Sequence, residues 1–568
     1  MSDASTDPDK IEGPTPDNAM RAAAAADRDD GPMLAADGTP LKRSLARSLR
    51  VQKMRALMLI APLLIFVLVT FIAPIGDMLF RSVENQIVSE TLPRTTRALA
   101  DWDSTSGDLP EERVYEGLFY DLFIAEARKE HTRLGTRLNY EQTGMSSLFR
   151  RSGRSLDDVS DIYLDQFEDL DEAWDEGRPW AELMGDPEWI AEQEAFDAAE
   201  DEGQMPRFQL RDGIEDVLPR AASTYETFAR FAQVEDEDSP LDEEPWGLVH
   251  TALYYDLMEA DVASYDGPQA DLLQAADAAV GGFESVTFKE GLLEIDEDWG
   301  STETWTTLQM YSPDYTSGYF LNAVDMQKTA DGPALRDADE RIYGLLFQRT
   351  LFMSLVITFS CIMLGYPVAY LLSTLPARSA NLLMILVLLP FWTSLLVRTS
   401  AWKVMLQQQG VINDVLVWLG LVGDGSRLVM INNQFGTIVA MTHILLPFMI
   451  LPMYSVMSTI PPSYVRAAKS LGATNITAFR RVYFPQSVPG IGAGSILVFI
   501  LAIGYYITPE IVGGTTGTFI SNRIAYHISS SLNWGLAAAL GSILLVVVLV
   551  LYWAYDRIVG IDNVKLGG

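Results

Sequence analysis

The sequence predicts an all-α membrane protein: six membrane-crossing helices, with a large and mainly helical acidic domain between the first and the second. Three observations carry this expectation. Six apolar runs each reach the roughly 20 residues that cross a bilayer as a helix. The charge is uneven: residues 81–345 hold 61 Asp and Glu against 20 Lys and Arg, a net of −41, while the whole 568-residue chain carries −35. About +6 is left for everything else, and those basic residues fall beside the first run and in alternate loops, the pattern that fixes which loops stay inside.

In chain order, residues 1–40 are rich in Ala, Asp, Pro and Gly with almost no large apolar side chains, which predicts a disordered cytoplasmic tail. Lys42, Arg43, Arg47, Arg50, Lys53 and Arg55 then crowd ahead of the apolar run 56–80, the arrangement that keeps an N-terminus inside. The segment 41–80 is expected to be this basic stretch and the first span. The run is too long for a signal-peptide core of about 7–15 residues, so it reads as an uncleaved span.

The acidic segment 81–345 shows helical patterning, as in 117–129, where Leu118, Leu122, Ile124 and Ala125 recur among charges. With the first span running outward, it is expected outside the cytoplasm. Candidate internal breaks are 235–245, Gly281-Gly282 and Gly332-Pro333, and no internal repeat is evident. A domain this acidic repels phosphates, which excludes nucleic acid as a partner. Its surface suits salty surroundings and could attract cations, although a charge run is in most proteins a solvated face.

Five further runs, 351–375, 382–402, 435–460, 488–508 and 534–555, make up the core 346–568. Arg378, the cluster 466–481, Arg557 and Lys565 all fall on the side predicted to be inside, which also returns the C-terminus to the cytoplasm. Pro367, Pro390, Pro447, Pro452 and Pro509 are candidate breaks, because lipid offers freed backbone groups no partner. Gly490, Gly492 and Gly494 allow close helix packing. VINDVLVWLGL, in the loop 403–433, is apolar enough to lie at the interface.

Between the fourth and fifth runs lies SYVRAAKSLGATNITAFRRVYFPQSVPGI, residues 463–491, a basic and helix-forming stretch. Ser463 is a candidate N-cap, Gly472 a stop, and Thr474 or Asn475 a second start, so two short helices joined at a glycine are expected. Val465, Ala468 and Leu471 share one side of the first helix, and Ile476, Phe479 and Tyr483 one side of the second. Arg466, Lys469, Arg480 and Arg481 supply charge.

This stretch resembles the Glu-Ala-Ala loop of binding-protein-dependent ABC transporter permeases. Ala467-Ala468, Gly472-Ala473, Phe479, Pro485 and Pro489-Gly490 match its spacing, and Arg466 stands where the family has its glutamate. LLPFWTSLLVRTSAWKVMLQQQGVIN, THILLPFMILPMYSVMSTIPPSYVRAA and ILAIGYYITPEIVGG are similar to stretches of spermidine/putrescine-type permeases. LPRTTRALADWD, RLNYEQTGMSSLFRRSGRSL and YTSGYFLNAVDM resemble a subgroup with an enlarged first external segment. The resemblance implies the type I ABC importer permease fold in a bacterial inner membrane, surrounded by lipid. It also implies a second permease subunit, an ABC ATPase dimer docked on Val465, Arg466, Ala467, Ala468, Leu471, Gly472, Ala473, Phe479, Pro485, Pro489 and Gly490, and an extracytoplasmic solute-binding protein.

Arg398 and Glu510 near the predicted outer ends of the spans, His443 inside the fourth span, and Tyr505 and Tyr506 beside Glu510 are candidates for a translocation path, since a buried charge must pair or face water. Glu510 with the tyrosine faces could attract a cation. Snorkelling or an interhelical pair is the competing role. No phosphate loop, nucleophile elbow or H-E-x-x-H occurs, so no ATP hydrolysis, catalytic residue or cofactor is expected in this chain. His131, His250, His443 and His527 are scattered with no metal-ligand spacing, so each is expected to be structural rather than a ligand, and the lone Cys361 excludes an internal disulfide. A permease for another small solute, a secondary transporter and a membrane-anchored sensor remain as alternatives. The secondary transporter would want coupling-ion carboxylates near mid-membrane, and the sensor would need one span only.

Overall fold

The computed structural model describes residues 41–199, 204–260, 262 and 265–559. The expected tail 1–40 and Lys565 lie outside the described residues. The chain divides after Met78 into two units.

In the first unit, helix Leu41–Val67 continues through a π turn at Leu68–Ile72 into Ala73–Arg81. Pro62 sits inside it, and the Thr70 hydroxyl returns to the Phe66 carbonyl at 2.7 Å. Lys53–Arg81 is long and apolar enough to cross a membrane.

The second unit opens with a helical domain. Its core runs from Val88 to Tyr311 and is built on aromatic rings: Trp174, Trp180, Trp189, Trp299 and Trp305 are all buried. With no disulfide available, this ring packing and the burial of helix faces hold the acidic segment together.

The domain is an internal duplication, which overturns the reading that it holds no repeat. Leu92-Pro93-Arg94 and Leu218-Pro219-Arg220 each begin a helix, Pro93–Leu99 and Pro219–Phe231. Tyr120-Asp121-Leu122 and Tyr255-Asp256-Leu257 lie on the partner helices Glu112–Ala127 and Gly247–Glu259. Asp121 Oδ2 accepts from the Arg94 and Thr95 amides, both at 2.8 Å. Asp256 Oδ2 accepts from those of Arg220 and Ala221, at 2.9 and 2.8 Å.

Each repeat then closes on a 3₁₀ turn, Glu172–Trp174 or Glu297–Gly300, capped by Asp171 or Asp296. Trp180 Nε1 donates to the Trp174 carbonyl, and Trp305 Nε1 to that of Trp299. The repeats also exchange ends. Glu84 pairs as a β-bridge with Tyr315, whereas Gly185 pairs with Leu210. Only a few identical residues carry this relationship, because helix faces need apolar character rather than particular side chains.

A hairpin of Met326–Thr329 and Gly332–Leu335 leads out of the domain. Asp325 then accepts the amides of Ile342, Tyr343 and Gly344 at 3.0, 2.9 and 2.7 Å, capping the helix Tyr343–Thr374. This helix packs with Gln434–Thr459 and Phe484–Gly504 around Met353, Ile357, Cys361, Met449 and Met453. Close approach requires glycine here: a Cβ at Gly490 would stand 2.9 Å from Val456 Cβ, and one at Gly494 2.7 Å from Met449 Sδ. The last apolar helix, Trp534–Val559, receives the base of the domain, where Gly535 lies against the Tyr319 ring.

Among the described residues five helices are long and apolar enough to span a membrane, and the expected third span is a bent pair. Ala377–Trp392 and Leu395–Met405 meet at 93°, after a 3₁₀ turn containing Pro390. The proline at the start of that turn and the extended Thr393 end the first arm. VINDVLVW forms the short helix Val411–Trp418.

Candidate functional site

The stretch 463–491 folds around its glycine as expected at one end and differently at the other. Gly472 has φ +90°, a left-handed stop that a side chain would strain. The Thr474 hydroxyl accepts from the Thr477 amide at 3.3 Å as the next N-cap. The first helix, however, is Pro462–Ser470 with Pro461 as its N-cap, so Ser463 already lies inside it. Proline at the first helical position presets φ and loses no hydrogen bond, which outcompetes a serine cap. The second helix is not a separate element either. Asn475–Ala478 runs through a π turn, Phe479–Tyr483, directly into the fifth apolar helix, with Pro485 in its first turn and Pro489 inside it.

Burial divides the expected apolar faces. Val465 and Phe479 pack against the membrane core, and Ala468 is half-buried. Leu471 is 90% exposed, Ile476 72% and Tyr464 51%, while Arg466, Lys469, Arg480 and Arg481 are exposed around them. The outcome is an apolar tip with a basic rim. Tyr464 and Ile476 belong to this tip, although neither is part of the matched loop pattern.

Beneath the tip the loop is rooted in aromatic rings. Phe479 meets Tyr366 and Tyr370 edge-on, at 6.2 and 5.8 Å, and stacks on Tyr483 at 5.9 Å. The Tyr366 hydroxyl lies 3.0 Å from Ser487 Oγ, and the Tyr483 hydroxyl 3.0 Å from Ser373 Oγ. Those contacts bind the loop to Tyr343–Thr374. Packed rings of this kind resist continuous deformation and transmit strain.

The candidate path residues form two groups. Arg398, on the second arm of the bent pair, bears electrostatically on His443 and Tyr505. Its Nε and Nη1 are buried without hydrogen-bond partners. Trp402 Nε1 donates to His443 Nδ1 at 3.1 Å, and Thr399 and Thr508 join the neighbouring helices at 3.2 Å. The second group is Tyr506 with Glu510: Asn522 Nδ2 donates to the Glu510 carboxylate at 2.5 Å and to the Tyr506 carbonyl at 2.9 Å. Arg398 and Glu510 share no ion pair among the described residues.

The histidines stay apart: His131 lies against Gly153, His250 between the Trp174 and Trp246 carbonyls, and His527 on Tyr343. Glu168, Asp175 and Glu244 gather carboxylate oxygens within 4.8 Å of one another on the helical domain.

Residues 351–559 match the family described as binding-protein-dependent transport system inner membrane component. Over 220 residues the chain is 34% identical to the spermidine/putrescine transport system permease protein PotB of Salmonella typhimurium (strain SL1344), covering 38% of this chain and 76% of that protein. The protein of the same name from Escherichia coli (strain K12) is 33% identical over 220 residues, with 38% and 79% covered. The inner membrane ABC transporter permease protein YdcU of Escherichia coli (strain K12) is 32% identical over 225 residues, with 37% and 70% covered.

Proposed function

The chain belongs to the family of binding-protein-dependent transport system inner membrane components, and from that membership we propose that it is the transmembrane permease subunit of an ATP-driven importer of polyamines. The observation that carries the reading is the 34% identity over 220 residues to a protein named for spermidine and putrescine transport. The residues 463–491, which hold the apolar tip and its aromatic root, lie within the family match.

The tip docks into a groove of the ATPase subunit, with Leu471, Ile476 and Tyr464 as apolar contacts and Arg466, Lys469, Arg480 and Arg481 as a charged rim. Closing of the ATPase dimer pushes the tip, and Phe479, Tyr366 and Tyr483 pass the displacement to the helix Tyr343–Thr374. The membrane helices then change from inward-open to outward-open as rigid bodies. A second permease subunit completes the path, and a solute-binding protein delivers the polyamine at the outer face. Both termini and 463–491 are cytoplasmic, and the helical domain is outside. Arg398, His443, Tyr505, Tyr506 and Glu510 line the outer part of the path, where the Glu510 carboxylate and tyrosine faces suit a cation.

The test is uptake of labelled spermidine by vesicles holding this chain with its second permease, ATPase and binding protein. ATP-dependent uptake that requires this chain is expected. Uptake of another solute, with none of spermidine or putrescine, would overturn the polyamine assignment.

A further inference from the structure

The duplication exposes one place in the helical domain where the two repeats differ in chemistry. In the second repeat, Arg220 is surrounded by acceptors: Glu116 at 3.0 Å, Glu259 at 2.9 Å and Asp256 at 3.5 Å. Its equivalent in the first repeat is Arg94, on the same Leu-Pro-Arg turn above the same capping aspartate. Glu259 follows Asp256 by three residues on its helix, and the residue three beyond Asp121 is Ile124. The carboxylate that neutralises Arg220 is therefore replaced by an aliphatic side chain beside Arg94.

Arg94 makes no ion pair among the described residues. Its guanidinium lies 5.1 Å from the centre of the Tyr120 ring, and its Nη1 is buried without a hydrogen-bond partner. An unpaired guanidinium is unexpected where acids outnumber bases by 61 to 20. Asp121 does not neutralise it through Oδ2, which is engaged by the Arg94 and Thr95 amides and the Thr95 hydroxyl.

Beside Arg94 and Ile124 lies a cavity of about 280 Å³, between the first turns of Pro93–Leu99, the end of Glu112–Ala127 and Thr227 of Pro219–Phe231. Arg97 and Arg128 also line it, and neither makes an ion pair among the described residues. Glu90 and Glu130 line it as well, without pairing to the three arginines.

We propose that this cavity binds a small oxyanion, a carboxylate- or phosphate-type group, held by Arg94 with Arg97 and Arg128 in the place that Glu259 takes against Arg220. A guanidinium presents parallel N–H donors at the spacing of two oxyanion oxygens, which favours such groups over chloride. The aliphatic Ile124 leaves space where the second repeat has its own carboxylate.

The test uses the full chain in detergent. Its melting temperature is followed while succinate or phosphate is titrated against sodium chloride at matched ionic strength. A saturable rise with one of the two oxyanions, absent with chloride, is expected, and the more effective ion identifies the group. Arg94→Gln should remove the saturable rise. Ile124→Glu installs the carboxylate of the second repeat, and it should raise the melting temperature without ligand while abolishing the response to the oxyanion. A response no larger than that to chloride, or one that survives Ile124→Glu in a folded protein, overturns the assignment.

Discussion

The ring of Tyr370, in the helix Tyr343–Thr374, meets the ring of Phe479, at the root of the loop 463–491, at 90° with centroids 5.8 Å apart. Edge-to-face pairs of this kind contribute about 0.5–1.5 kcal/mol beyond the area they bury. Phe479 also meets Tyr366 edge-on and stacks on Tyr483, so it joins the exposed tip to the packed helices.

Phe479→Ala is therefore expected to loosen coupling more than assembly. The ATPase subunit should still co-purify, because the exposed tip is unchanged. Spermidine-stimulated ATP hydrolysis should fall by about tenfold, the equivalent of ~1.4 kcal/mol. Steady-state assays on the reconstituted complex read both quantities, and undiminished stimulation would separate the aromatic root from coupling.

Leu471 and Arg466 test the docking surface itself. Leu471 is 90% exposed and supports no packing within the chain, so Leu471→Asp should fold normally and lose the ATPase subunit on co-purification. Truncating an interface hot spot costs about 2 kcal/mol or more, and a charge at a buried apolar contact adds its desolvation. Arg466→Glu reverses one charge on a basic rim and should weaken association most at low salt, where surface charges are least screened. Equal association of the wild type and Arg466→Glu across salt concentrations would show that the rim takes no part.

The helical domain carries its own pH dependence. Burial pushes the carboxyls of Asp121 and Asp256 up to about 6, and it pushes the imidazole of His250 down to about 4. The raised carboxyls contribute stability below their unfolded value near 4, and lose it as pH rises through 6. The depressed imidazole contributes above about 6.5 and loses that contribution as pH falls through 4. Between pH 4 and 6 the two effects oppose. Asp256→Asn should keep its acceptor for the Arg220 and Ala221 amides and reduce the loss of melting temperature between pH 4 and 7. His250→Asn should make that loss steeper, because the opposing contribution is gone. Tryptophan fluorescence melts of the full chain across this range measure both slopes.

Much of this was legible in the sequence, because its signals are local. Hydropathy placed the long apolar helices, Gly472 marked the turn of the loop, and Thr474 marked the next start. The Ser463 cap failed because Pro461 and Pro462 set the backbone before a serine hydroxyl could act. Ile476 and Phe479 share one apolar side of the second helix in the sequence pattern, yet Ile476 is exposed and Phe479 packed. Helical spacing cannot distinguish a face turned to a partner from one turned to the chain's own core. The duplication escaped because its sequence signature is confined to short matches such as Leu-Pro-Arg and Tyr-Asp-Leu, and the rest of it is tertiary. Tyr115 donates to the Trp299 carbonyl at 3.0 Å where His250 approaches that of Trp174 at 3.0 Å, and tyrosine and histidine share no sequence similarity that would reveal the equivalence.

In the proposed importer the loop around Gly472 transmits ATP hydrolysis to solute movement. The most direct test of this is the ATPase rate of the reconstituted complex, with and without spermidine-loaded binding protein, for the wild type and for a variant lacking residues 465–473. Stimulation is expected in the wild type and none in the variant, with both chains inserted equally in the membrane. Equal stimulation of the two would contradict it.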